Sequence, residues 1–99
     1  MAKRKQQAPA IKPGKAAGRT IERVQTGVRI EKRLLKVLKG LAEYHDITLG
    51  DLLEGIVLHV FEGKAPFEKP SLEVIGRLKK VYGLDLDASD SHKLVERTG

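Results

Sequence analysis

The spacing of apolar and polar positions changes character several times along this chain. Over Val24-Gln25-Thr26-Gly27-Val28-Arg29-Ile30 it has period two, with Thr26, Val28 and Ile30 on one side and Gln25, Gly27 and Arg29 on the other. That alternation predicts one short β-strand. From Glu31 or Lys32 to Tyr44 the period becomes helical, with Leu34, Leu38 and Leu41 in register and Leu35, Val37 and Ala42 widening the stripe. After His45-Asp46-Ile47, Thr48 is the expected N-cap of a second helix, and Asp51 completes a capping box in its acidic form. Leu49, Leu52, Leu53, Ile56, Val57 and Val60 then fit a single helical face, the strongest periodic signal in the chain. Leu58 sits opposite that face, Phe61 on its flank, and Gly55 mid-helix costs about 1 kcal/mol relative to Ala. These positions read either as scattered surface apolars or as the mark of an element covering the back of helix two. The candidate cover is a third helix over residues 72–82, opened by Pro70-Ser71 and stopped by Gly83, with Val74, Ile75, Leu78, Val81 and Tyr82 as its stripe. The acidic remainder is expected to add one or two helical turns between about Ala88 and Glu96.

The fold class that follows is mainly α with one β-strand per chain. A lone strand must pair its backbone N–H and C=O groups and bury its apolar side. A second copy of the chain is the simplest partner, giving an intertwined homodimer with a two-stranded antiparallel ribbon. Such a ribbon fits the major groove of B-form DNA.

Charge sharpens this picture. The chain has 99 residues and a net charge of +6; residues 1–23 hold seven cations against Glu22 alone, and the rest of the chain balances twelve against twelve. Residues 1–22 also contain Pro9, Pro13, Gly14 and Gly18 and little that could enter a core, so they are expected to form a disordered basic arm. The arm reads as a polyanion-seeking tail, with a plain solubilising leader as the alternative. Lys32, Arg33, Lys36 and Lys39 add four cations to one face of the first helix, directly after the strand. Residues 23–62 then form the expected DNA-binding domain and residues 63–99 a C-terminal extension. There is no cysteine and no apolar run long enough for a membrane span or signal peptide, which points to a cytoplasmic, nucleoid-associated protein.

Catalytic chemistry finds no foothold in the sequence. His45, His59 and His92 are not at metal-ligand spacings, and no serine stands near a base in sequence. Gly14-Lys15-Ala16-Ala17-Gly18-Arg19-Thr20 misses the phosphate-loop spacing, and Asp85 to Glu96 lacks the glycine a calcium loop needs at its sixth position, where Asp90 stands. Asp87 or Ser89 is better read as a helix cap. The expectation is a non-enzyme with no cofactor and no metal.

The order of elements carries a resemblance. A strand ending in Val28-Arg29-Ile30, a helix with Leu34, Leu38 and Leu41-Ala42, a short turn, a capping Thr48 and a leucine-rich helix together resemble the ribbon-helix-helix superfamily of the Arc and methionine repressors and of many plasmid copy-control and antitoxin proteins. The resemblance spans roughly Arg23 to Phe61, about two-fifths of the chain. It implies that Gln25, Gly27 and Arg29 read base edges, while Thr26, Val28 and Ile30 join a shared dimer core with Leu34, Leu38, Leu41, Leu49, Leu53, Ile56, Val57 and Val60. It further implies a phosphate held on the backbone N–H groups of Thr48, Leu49 and Gly50, where a helix N-terminus favours anions. The remaining phosphate contacts would come from Lys32, Arg33 and Lys36 and from Lys3, Arg4, Lys5, Lys12, Lys15, Arg19 and Arg23. Gly27 offers no side chain, so readout rests on Gln25 toward adenine and Arg29 toward guanine. Gly27 is also the position where a bulge would reverse the facing of the preceding residues. Asp46 and Asp51 weaken the phosphate anchor by their charge.

Two functions are therefore expected from different classes. The first is double-stranded DNA binding by a homodimer, as a transcriptional regulator or DNA-organising factor. The alternative is an antitoxin-like interaction module whose C-terminal extension binds a partner protein. RNA binding is weaker, because Tyr44, Phe61, Phe67 and Tyr82 make no evident stacking surface.

Overall fold

The computed structural model describes residues 18–97. Three helices form: α1 (Lys32–His45), α2 (Leu49–Phe61) and α3 (Lys69–Tyr82), followed by a single 3-10 turn at Ala88–Asp90. The Glu31 carboxylate accepts the Leu34 N–H at 2.9 Å and starts α1. Asp46 ends it in the left-handed region (φ 60°, ψ 42°), so that the Ile47 N–H reaches the Ala42 carbonyl at 3.0 Å. The Thr48 hydroxyl accepts the Asp51 N–H at 3.0 Å and caps α2.

The third helix begins at Lys69 rather than Leu72, because Pro70 lies within its first turn, where its missing N–H costs no hydrogen bond. It ends at Gly83 (φ 66°), which turns the chain back so that the Leu84 N–H closes on the Lys79 carbonyl at 2.9 Å. Ser71 lies beside His45 and Gly83 beside Arg33, so α3 runs antiparallel to α1. Gly40 lets the two helices approach closely: a Cβ there would lie 2.9 Å from Leu78 Cδ2.

The core is small. Val37, Leu41, Ala42, Leu52 and Val74 are its buried side chains, and Leu38, Ile56, Phe67, Ile75 and Leu78 pack around it. Every helix contributes, so α3 belongs to the same core as α1 and α2.

Two expectations are corrected. Among the described residues there is no strand and no sheet, which overturns the ribbon-helix-helix fold with its strand ribbon. Residues 18–31 run without a turn or bend, but among the described residues no backbone lies alongside to pair with theirs as a ladder, and period-two alternation cannot make a strand without a partner. Thr26, Val28 and Ile30 accordingly form no core face; residues 18–30 are all exposed, Val28 by 73%. Second, α3 packs chiefly on α1 and does not cover the back of α2, leaving Leu58 and Phe61 64% and 80% exposed. The C-terminal segment makes one of the one or two turns expected between Ala88 and Glu96, at Ala88–Asp90.

Candidate nucleic-acid interface

With no sheet to hold it, the segment 18–31 is positioned by arginine–carboxylate pairs. Arg23 forks onto Glu54 of α2, Nε and Nη2 each donating at 2.8 Å to one carboxylate oxygen. Arg29 donates through Nε and Nη2 to Glu96 near the C-terminus. At the start of α1, Arg33 donates to Glu31 at 3.0 Å, and its Nη1 reaches both the Gly83 carbonyl at 2.9 Å and Asp85 at 3.0 Å. The bond to Gly83 places a cation at the carbonyl end of α3, where the helix dipole favours it. Lys36 places its ammonium 5.6 Å from the centre of the Tyr82 ring.

Each guanidinium is held more firmly protonated by its carboxylate hydrogen bond: Arg23 by Glu54, Arg29 by Glu96 and Arg33 by Glu31. The carboxylates respond in the opposite direction. Glu54 falls below the ordinary glutamate value of 4.5 because Arg23 donates to it, and Glu31 does so first through the Leu34 N–H and then through Arg33. Asp87 falls below the ordinary aspartate value of 3.8 because Ser89 donates its hydroxyl and its N–H. A carboxylate depressed in the folded state stabilises the fold while ionised, and the unfolded chain takes up its proton first as pH falls. Stability to urea is therefore expected to hold from neutral pH to about 5, then to decline through 4.5 and 3.8 and further below. Urea midpoints across that range check this, and Glu54→Gln should flatten the decline.

The expected base-reading residues Gln25, Gly27 and Arg29 are all exposed on segment 18–31. Gly27 has no positive φ, and a Cβ there would meet nothing within 4 Å, so its backbone shows no bulge that requires glycine. Among the expected phosphate contacts, Arg19, Arg23, Lys32 and Lys36 are exposed and Arg33 is half-buried under its three partners. Lys3, Arg4, Lys5, Lys12 and Lys15 lie outside the described residues. At the start of α2 the Asp51 N–H is already taken by Thr48, so a phosphate there would find the N–H groups of Leu49 and Gly50.

The expected dimer-core residues divide into two groups. Leu41 is buried within the single chain, with Leu38, Leu49, Leu53 and Ile56 half-buried and Leu34 at the margin. Val57 and Val60 are 42% and 56% exposed, so a third of the six-residue α2 stripe has no cover.

Several contacts had no sequence signal. Arg23–Glu54 and Arg29–Glu96 join residues far apart in the chain, and no spacing rule links them. The chain also brings His45 Nε2 to 3.1 Å from Ser71 Oγ in an open cleft floored by Leu52, Ile56 and Phe67. Among the described residues no three histidine or acidic side chains are grouped to hold a metal. No helix among them is long and apolar enough to cross a membrane. In comparisons with known proteins, no family model, curated protein or solved structure matches this chain.

Proposed function

We propose that this chain binds double-stranded DNA as a homodimer and serves as a transcriptional regulator or DNA-organising factor. The observation that carries the reading is where the cations lie. The whole net charge of +6 belongs to residues 1–23, and Arg29, Lys32, Arg33, Lys36 and Lys39 continue it along the segment leading into α1. A polyanion laid along residues 19–39 meets seven cations against Glu22 and Glu31, and each phosphate neutralised releases counterions. Arg29 and Gln25, exposed on the same segment, have the hydrogen-bonding patterns that suit guanine and adenine edges.

The dimer rests on a separate observation. Val57 and Val60 leave one part of the α2 stripe uncovered, with Phe61 exposed on its flank, and the five side chains buried among the described residues are a meagre core for one chain. A second copy meeting the first along α2 covers that face on both chains and doubles the cations presented to one duplex. The antitoxin-like alternative draws on the exposed Leu58 and Phe61. However, these belong to α2, and the C-terminal extension to which it assigns the partner is itself engaged with α1.

Val57→Asp separates dimer from fold, because Val57 is already partly exposed in the single chain. An aspartate there is expected to cost about 3 kcal/mol across an apolar interface, a loss of about a hundredfold in dimerisation. Sedimentation equilibrium should show a wild-type dimer at micromolar concentration and a folded Val57→Asp monomer with weakened duplex binding. A wild-type monomer, or a variant that dimerises unchanged, contradicts the proposal.

A further inference from the structure

The C-terminal segment occupies two of the arginines that the proposed function assigns to DNA. After Gly83 reverses the chain, Leu84 and Leu86 settle half-buried in a groove with Leu34, Val37 and Leu38 of α1. Asp87 and Asp90 then fix the 3-10 turn by reciprocal caps: Asp90 accepts the Asp87 N–H and Asp87 the Ser89 N–H, each at 2.9 Å. This folded half delivers Asp85 to Arg33 and directs the chain toward Arg29, where Glu96 receives both donors of the guanidinium.

We infer that residues 84–97 act as an internal strap whose carboxylates stand in for DNA phosphate at Arg29 and Arg33, and that DNA contact at Arg29 requires the outer half of the strap, residues 91–97, to lift. The inference rests on the DNA-binding reading and adds its regulation. Carboxylate and phosphate both accept the planar two-donor fork of arginine, so Glu96 and a phosphate compete for the same Nε–Nη2 edge of Arg29, as Asp85 and a phosphate do for Nη1 of Arg33. Tethering gives the strap a high local concentration without a strong bond.

The two halves of the strap differ in how firmly they are held. Leu84 and Leu86 anchor the first half against α1. The second half has little hold beyond Glu96: Leu94 is 51% and Val95 92% exposed, and His92 occupies the left-handed region (φ 66°) that favours glycine. Exposed backbone with few apolar contacts opens first, so residues 91–97 can release Arg29 while the anchor stays in place. Exposed ion pairs of this kind are also weakened by salt, so the strap competes best at low ionic strength.

The test uses the full chain and a short random-sequence DNA duplex, with binding followed by fluorescence anisotropy. Asp85→Asn with Glu96→Gln is expected to tighten binding about three- to tenfold at low salt, with the gain shrinking as salt rises. Glu43→Gln with Glu73→Gln removes the same charge from exposed positions on α1 and α3 and should gain clearly less. Equal gains from both double variants make the effect one of net charge and overturn the strap. NMR adds a readout that needs no affinity. The Nε–H signal of Arg29 and the Nη–H signals of Arg33 should shift in the first double variant without DNA, and the amides of 91–97 should become mobile when duplex is added to the wild type. Amides left unmoved by bound duplex overturn the inference. If the arginine signals shift in the variant but no form of the protein binds duplex, the DNA-binding reading fails: the strap contact exists and competes with nothing.

Discussion

A chain lacking residues 1–20 is expected to bind a random-sequence duplex about a thousandfold more weakly at about 0.1 M salt. The deleted stretch carries Lys3, Arg4, Lys5, Lys12, Lys15 and Arg19, six of the seven cations that give the protein its net charge. At that salt concentration each neutralised phosphate is worth close to an order of magnitude through counterion release, and a dimer that loses both arms forfeits about three such contacts. Sequence preference should persist through the deletion, because Gln25 and Arg29 remain. Arg29→Ala should act in the opposite sense, flattening preference between duplexes while leaving most of the affinity. Selection of duplexes from a random pool with each variant separates the two effects. A deletion that leaves affinity within a few-fold of wild type removes the arm from the interface.

Leu41→Ala is expected to lower stability by about 2–5 kcal/mol, the range for truncating a buried leucine in a core that relaxes only in part. Leu41 is the most deeply buried large side chain, 1% exposed, and lies in the cluster that Leu52 of α2 and Val74 of α3 complete. A domain of roughly eighty residues commonly has about 4–12 kcal/mol in total, so this one change removes a large share of it. Urea denaturation followed by helical circular dichroism measures the loss. A change below about 1 kcal/mol places the true core elsewhere, for example on the open face of α2. Leu58→Ala offers the contrast: at 64% exposure it should shift stability by less than about 0.5 kcal/mol.

The helices were legible in the sequence because everything that makes a helix is local. The Leu34, Leu38 and Leu41 stripe, the Thr48 cap and the Gly83 stop each act within a turn or two of the residues they order. Periodicity also placed Leu52 and Ile56 correctly on the inner side of α2. It could not say how much of that stripe the chain covers by itself, and Val57 and Val60 turn out to lie open. The strand was illegible for the converse reason. Seven alternating residues specify a strand only when another backbone runs beside them, and Val24–Ile30 has no such neighbour among the described residues.

The same limit applied to the candidate site. Gln25, Arg29 and the lysines of α1 could be proposed from type and position, because exposure and charge follow from local pattern. Their partners could not be. Glu54 meets Arg23 through the packing of α2, Asp85 meets Arg33 through the reversal at Gly83, and Glu96 meets Arg29 at the far end of the strap. Placing α3 behind α2 failed for a steric reason. Gly40 opens a seat on α1 for Leu78, and α3 takes it.

The salt dependence of duplex binding tests the central proposal most directly. If a dimer neutralises about eight phosphates, a plot of log affinity against log salt should fall with a slope near −7. A flat plot, with no binding to duplex DNA even at low salt, would contradict it.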